Sequence, residues 1–189
     1  MGRLTLEQIV SVDGYAADEH GGLDFVEAVP AFDVTDDDQL AYLEDVDAIL
    51  LGANSYRMFV EYWPVADPAT EPVAEPIARL PKWVVSNTLE RAPWGDGEAT
   101  LLRGDPAESV AALKAERAHV IVWGSLQLAD ALLAAGLVDT LRLRVVPVLL
   151  GAGRSFTPDA LALQRLELDH AVSFPTGHLG LTYRLAVAG

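Results

Sequence analysis

Four short stretches place small or polar residues directly after apolar runs: Ser11-Val12-Asp13-Gly14, Gly52-Ala53-Asn54-Ser55, Ser86-Asn87-Thr88 and Gly124-Ser125. Two of them run straight into helical patterns, at Ser55 and Ser125. A helix start carries unpaired N–H groups and a partial positive charge, so it can bind a phosphate without a basic side chain. Glycine leaves out the Cβ that would block a ligand from the backbone. Two phosphate-suited joints in one chain predict a ligand with phosphates at two points, such as a dinucleotide. The same residues also serve as ordinary turn and N-cap residues, and spacing alone leaves both readings open. Asp13 follows a strand end beside a glycine. It is the candidate carboxylate for orienting a substrate or relaying a proton, although an Asp-Gly turn needs no chemistry.

Other chemistries lack their patterns. No G-x-G-x-x-G follows the first strand, and neither "GGLD" (21–24) nor the lone "GAG" (151–153) replaces it. Walker and G-x-S-x-G patterns are absent. With no cysteine, disulfides and thiolate metal sites are excluded. His20, His119, His170 and His178 lack metal-ligand spacing and read as surface or strand-end residues, so no metal is expected.

The formal charge is −15, from 28 acidic and 13 basic residues. That field repels phosphate backbones and no basic stripe offsets it, so nucleic acid is not an expected partner. Any anionic ligand must be held by local groups acting against the global charge. No apolar run approaches the roughly 18 residues of a membrane-spanning helix, and the N-terminus has no signal-peptide core. A cytoplasmic protein without membrane contact is expected. At 189 residues, 51% of them hydrophobic, the chain is read as a single domain, 1–189.

The elements that must position these residues alternate. Leu4–Val12 reads as a strand with an irregularity near Gln8. Thr35 to about Glu44 reads as a helix that Thr35 can cap, with Asp36, Asp37 and Asp38 at the positive end of its dipole. Asp47–Leu51 is a strand, Ser55–Val60 begins a helical turn, and "WPVADPATEPVAEPIARLP" (63–81) is a surface connection around a short helix. Trp83–Val85 is a strand and Pro106–Glu116 a helix with Val110, Leu113 and Ala111 inward. Strand 120–123 then meets helix 125–135, whose apolar stripe is Leu126, Ala129, Leu132 and Leu133 and whose C-cap is Gly136. "TLRLRVVPVLLG" is a strand with Leu141, Leu143 and Val145 opposite Arg142 and Arg144. Arg165–Phe174 and Leu179–Val187 form a hairpin turning at Thr176-Gly177. Strands alternating with helices, then strands alone, predict an α/β fold whose mainly parallel sheet has an antiparallel C-terminal edge. In such sheets ligands gather beyond the carboxyl ends of the strands, where the four stretches fall.

In this order, "SVDGYAAD", "AILLGANSYRMF", "PKWVVSNTLE", "VIVWGSLQLADALLAAGLVDTLRLRVVPVLLGAGRSF" and "FPTGHLGLTYRL" resemble the dihydrofolate-reductase-like family that includes the reductase domain of bacterial riboflavin biosynthesis. The resemblance spans nearly the whole chain, most specifically Val120 to Phe156. It implies a three-layer αβα fold, a homodimer, and NADPH-dependent hydride transfer to a C=N bond or carbonyl of a small heterocyclic or carbonyl substrate. Gly52, Ala53, Asn54 and Ser55 would then lie beside the adenosine end and pyrophosphate, and Ser86 and Asn87 near the ribose 2′-phosphate. Gly124, Ser125, Leu126 and Gln127 would cradle the pyrophosphate, while Asp13 and the loop through Ala16 would face nicotinamide and substrate. Asp36 or Asp37 lies where dihydrofolate reductases place a pterin-binding carboxylate.

Three departures bear on that reading. Ala53 and Asn87 stand where the family often has arginine, which leaves NADH as a possible cofactor unless Arg57, Arg91 or Arg103 reaches in. Trp123-Gly124 replaces paired glycines, and the tryptophan narrows the joint and can stack on a ring. Tyr15 replaces the usual cation after "DG", against a ribose-phosphate substrate. A non-catalytic, small-molecule-binding homodimer that keeps the fold is the alternative.

Overall fold

The computed structural model describes residues 2–29 and 35–186. The chain runs β1 (Arg3–Ser11), β2 (Tyr15–Ala17), α1 (Asp36–Leu43), β3 (Ala48–Gly52), α2 (Ala53–Tyr62), α3 (Ala74–Arg79), β4 (Lys82–Val85), β5 (Pro93–Trp94) and β6 (Gly97–Glu98). It continues through β7 (Thr100–Leu102), α4 (Pro106–Glu116), β8 (His119–Val122), α5 (Leu126–Ala134), β9 (Thr140–Val146), β10 (Arg154–Ser155), β11 (Leu166–Ser173) and β12 (Leu179–Leu185). Eight strands form one sheet in the order β11-β12-β9-β1-β8-β3-β4-β7. From β9 to β7 all neighbours are parallel, and β12 pairs antiparallel with both β9 and β11. The expected mainly parallel sheet with an antiparallel C-terminal edge is therefore present.

Period-two alternation divides the core between two faces. Leu4, Leu6, Leu50, Val120, Val122 and Leu141 pack with α4 and α5 on one face. Ile49, Leu51, Val84 and Ile121 pack with Leu43 of α1, Tyr56 of α2 and Ile77 of α3 on the other. The central strands β3 and β8 are buried on both faces, as continuous apolar runs require in a helix-covered parallel sheet.

Several local expectations are corrected. β1 pairs with β9 in unbroken register from Thr5 to Ser11; Glu7 and Gln8 are buried polar residues of a regular strand, not an irregularity. Helix α2 starts at Ala53 with Gly52 as N-cap, two residues before Ser55. Thr35 makes no side-chain cap bond; its hydroxyl accepts from Arg144. In α5 the buried stripe is Leu128, Ala129, Leu132 and Leu133, with Leu128 in place of Leu126. The helix closes as predicted at Gly136 (φ +64°), where Gly136 N–H donates to Leu133 O and Leu137 N–H to Leu132 O. Strands β2, β5, β6, β7 and β10 are too short to carry a periodic signal. Val187, the expected end of the last strand, lies outside the described residues.

Candidate functional site

The carboxyl ends of β1, β8, β3 and β4 are neighbours along one sheet edge, so the four singled-out stretches span three inter-strand steps, about 14 Å. The structure brings the two Gly-Ser joints into contact. Gly52 N–H donates to Gly124 O (2.9 Å) and Trp123 N–H to Leu50 O (3.0 Å). The two glycines interlock with the serines of the opposite joint. A Cβ on Gly52 would fall on Ser125 Oγ, with Ser125 N at 2.8 Å and Ser125 Cβ at 3.0 Å. One on Gly124 (φ +68°) would fall on Ser55 Oγ. The glycines thus allow two helix starts to lie side by side. The Gly124–Ser125 peptide is cis.

Neither helix start is capped by its own N-cap side chain. The first-turn amides of α2 and α5, at Ala53–Ser55 and Leu126–Gln127, therefore form one paired donor set at adjacent positive helix ends. Asn54 and Gln127 are exposed beside it. This set fits a pyrophosphate, an anion with oxygens for both helix ends.

At the end of β4, Ser86 Oγ accepts from Thr88 N–H (3.3 Å) and Leu89 N–H (3.0 Å), closing its own turn. Asn87 is engaged with Gly104, donating to its carbonyl (3.0 Å) and accepting from its N–H (2.7 Å). Arg103, at the end of the neighbouring β7, donates to Ser86 O (2.8 Å) and to Leu89 O. Of the three arginines named from sequence, Arg103 thus reaches the Ser86 turn. Arg57 donates to Asn54 Oδ1 (3.0 Å) on the first turns of α2, and Arg91 is paired with Glu98 (3.1 Å).

Asp13 acts as an anchor. Its Oδ1 accepts from Ser11 Oγ (2.6 Å) and Leu150 N–H (3.2 Å), and its Oδ2 from Gly151 N–H (2.8 Å). The Ser11 hydroxyl bond, followed by the Gly151 amide, lowers its pKa to about 2. It ties the turn after β1 to the loop after β9. There β2, with buried Ala16, pairs with β10. A cleft of about 560 Å³ opens beside this small sheet, lined by Tyr15, Asp130, Gly153, Arg154 and Ser155. It adjoins the Asp13 turn and includes none of the joint residues.

A buried polar network went unforeseen. Glu7 Oε1 accepts from Trp123 Nε1 (2.8 Å) and Gln39 Nε2 (3.1 Å). Its Oε2 pairs with Arg142, whose guanidinium also bonds Gln39 and Asp38 and lies 4.4 Å from the Tyr42 ring centroid. Among the acidic residues opening α1, Asp38, rather than Asp36 or Asp37, pairs with Arg142. The signal lay in alternation: Leu4, Leu6 and Leu141 face one way, so Glu7 and Arg142 must face α1. His119 and His178 are also buried; they are strand-end residues, at the start of β8 and just before β12, rather than surface ones. Thr5 Oγ1 lies 2.9 Å from His119 Nε2, and burial lowers the His119 pKa to about 4. No cluster of three or more His, Cys, Asp or Glu suited to a metal occurs among the described residues. Among those residues no helix is long and apolar enough to cross a membrane.

The layers, strand order and paired helix starts define a dihydrofolate-reductase-like α/β protein. A dihydrofolate reductase from Enterococcus faecalis, complexed with NADP(H), superposes with TM-score 0.58 at 13% identity over 97% of this chain and 96% of that one. The chain belongs to the RibD C-terminal domain family, which it matches over residues 3–179. A riboflavin biosynthesis protein, so described provisionally, from Shewanella sp. PV-4 superposes with TM-score 0.79 at 23% identity, covering 98% of this chain and 99% of that one. The uncharacterized protein YyaP of Bacillus subtilis is 28% identical over 96% of this chain and 94% of its own length.

Proposed function

We propose that this chain is an NAD(P)H-dependent reductase that delivers hydride to a C=N bond or carbonyl of a small acceptor. The observation that carries this reading is the interlocked pair of helix starts at Gly52–Ser55 and Gly124–Gln127, an uncapped donor set suited to a pyrophosphate. A bound dihydronicotinamide would supply the hydride. The protein's part is to hold donor and acceptor in register and exclude water. The backbone amides of Ala53–Ser55 and Leu126–Gln127 would hold the pyrophosphate, and Trp123 would close the side facing β1. Asp13, ionised and with both oxygens engaged, holds the turn through Ala16 against the loop at Leu150–Gly151. It is a poor proton donor at neutral pH, so the proton that completes the reduction comes from water. The homodimer implied by the family resemblance belongs to the same proposal.

Arg103 supports NADPH over NADH. It replaces, from the adjacent strand, the arginine that position 87 lacks. Two of its five donors are used on carbonyls, leaving others for a 2′-phosphate. Calorimetric titration of the wild-type chain and of Arg103→Ala with each nucleotide tests both statements. Charge-assisted bonds predict that the substitution weakens NADPH binding by about tenfold or more and leaves NADH binding unchanged. Failure of the wild-type chain to bind either nucleotide would overturn the reductase reading.

A further inference from the structure

We propose that a second copy of this chain docks on the α5-side face of β9, β12 and β11, the two sheets stacking face to face about a twofold axis. This rests on the homodimer included in the proposed function, to which it gives a surface, and not on the hydride chemistry.

An antiparallel sheet edge ordinarily turns its apolar face to the core and its polar face to water. Here that order is inverted. One face of the three strands carries Arg142 and Thr182, and it is covered. Both residues are buried, and a Cβ on Gly180 would stand 3.4 Å from Asp38 of α1. The other face carries Leu143 and Val145 of β9, Leu181 and Tyr183 of β12, and Leu166 and Leu168 of β11. The register sets them in rows: Leu181 opposite Leu143, and Tyr183 between Leu141 and Leu168. This is the side on which Leu141 packs with α4 and α5. Those helices leave Leu4, Leu6, Val120 and Val122 with 0% exposure, but their cover fades beyond Leu141. Leu143, Val145, Leu181 and Tyr183 are only half-buried and Leu166 is exposed. Leu168 is 58% exposed.

Charge and size point to a second copy as the occupant. The chain carries a net −15, so two copies associate most readily where neither brings a charge. No charged residue stands on this face. An uncharged apolar face is also complementary to itself, as a twofold contact of identical patches requires. Strands of seven residues make it roughly 24 by 14 Å. Leu163, 97% exposed, stands in the segment leading into β11. Together they supply the apolar core of an interface of about 800 Å² per partner, with the charged side chains left to its rim.

The competing geometry pairs the open edges of two β11 strands. That ladder is broken by a bulge between Leu168 and His170, and Glu167 and Asp169 charge the same strand. Bulges and charges are the means by which edge strands avoid pairing with one another, so the face, not the edge, is the contact.

The test is sedimentation velocity of the full chain over a range of micromolar concentrations, where the wild type should be a dimer. In Leu168→Glu each carboxylate would lose its water on closing the contact, and twofold symmetry places two of them in the interface. Association should therefore weaken by about hundredfold or more. Leu168 is exposed in the single chain, so the far-UV circular dichroism of the variant should match the wild type. Leu168→Met, which keeps an apolar side chain of similar volume, should remain dimeric. Val65→Glu is the control, since Val65 is 81% exposed after α2 and away from this face; it too should remain dimeric. A monomeric wild type, a dimer that persists in Leu168→Glu, or an equal loss in Val65→Glu overturns the inference. NADPH titration is run separately on the wild type. A dimer that binds no nucleotide removes the reductase reading and leaves this face standing, whereas a monomer that binds NADPH does the reverse.

Discussion

Gly52→Ala isolates the interlock of the two joints. Gly52 has φ −80° and ψ 161°, which alanine adopts freely, so no backbone strain enters. In the unfolded chain the substitution removes conformational freedom and by itself would stabilise by about 0.4–1 kcal/mol. Against this stands the new Cβ. Ser125 Oγ can rotate away, but Ser125 N at 2.8 Å and Ser125 Cβ at 3.0 Å cannot. Overpacking of this kind costs about 1–3 kcal/mol, so the net destabilisation should be on the order of 1–2 kcal/mol. For a domain of this size that lowers Tm by roughly 2–8 °C. The strain is relieved by moving the start of α5 away from the start of α2, so the paired donors separate and NADPH affinity should fall on the order of tenfold. Urea unfolding and calorimetric titration measure the two effects. Gly97→Ala is the control, since its Cβ meets only Trp94 O at an ordinary 3.6 Å; it should be neutral or slightly stabilising. Adding Ser125→Gly to Gly52→Ala removes the Oγ and Cβ contacts but not the amide contact, and should restore part of the loss. If Gly52→Ala matches the Gly97→Ala control in both stability and nucleotide affinity, the packing account of the joint is wrong.

Two further outcomes follow from titratable groups. The pKa of Asp13 is depressed from 3.8 to about 2 by the Ser11 hydroxyl and the Gly151 and Leu150 amides. Its anchoring is therefore fully present above pH 3.8 and lost as pH falls toward 2. Asp13→Asn, which cannot reproduce the carboxylate's two acceptors, should speed amide exchange at Gly151 at pH 7, while the pH–rate profile of the proposed reductase activity should show no limb from Asp13 between pH 5 and 9. His119 is depressed from 6.5 to about 4, chiefly by burial. The unfolded chain binds the extra proton between those values, so wild-type stability should decline as pH falls through that window. Urea unfolding at pH 7 and pH 5 should show a smaller decline for His119→Asn, and an equal decline would exclude His119 as its source.

Much of the fold was legible because its signals are local. The apolar runs read at Asp47–Leu51 and 120–123, the helix at Pro106–Glu116, the Gly136 terminus of α5 and the Thr176-Gly177 turn each follow from neighbouring residues. The small-residue joints after strands likewise lie together, at the carboxyl ends of four neighbouring strands. Only tertiary structure decided why the glycines stand there: Gly52 and Gly124 lie 72 positions apart in sequence, and their packing on Ser125 and Ser55 is set by β3 lying beside β8. The same holds for Glu7, Gln39, Trp123 and Arg142. Alternation assigns Glu7 and Arg142 a face, but no local rule says that α1 will cover that face or that the Trp123 indole will reach Glu7 across neighbouring strands. Nor does spacing reveal that Arg103 comes to Ser86 from β7, since hydrogen bonds between distant residues depend on strand order. Local chemistry determined the longer elements and some of their ends, such as the close of α5 at Gly136. The contacts that make a site of them exist only once the sheet has brought those ends together.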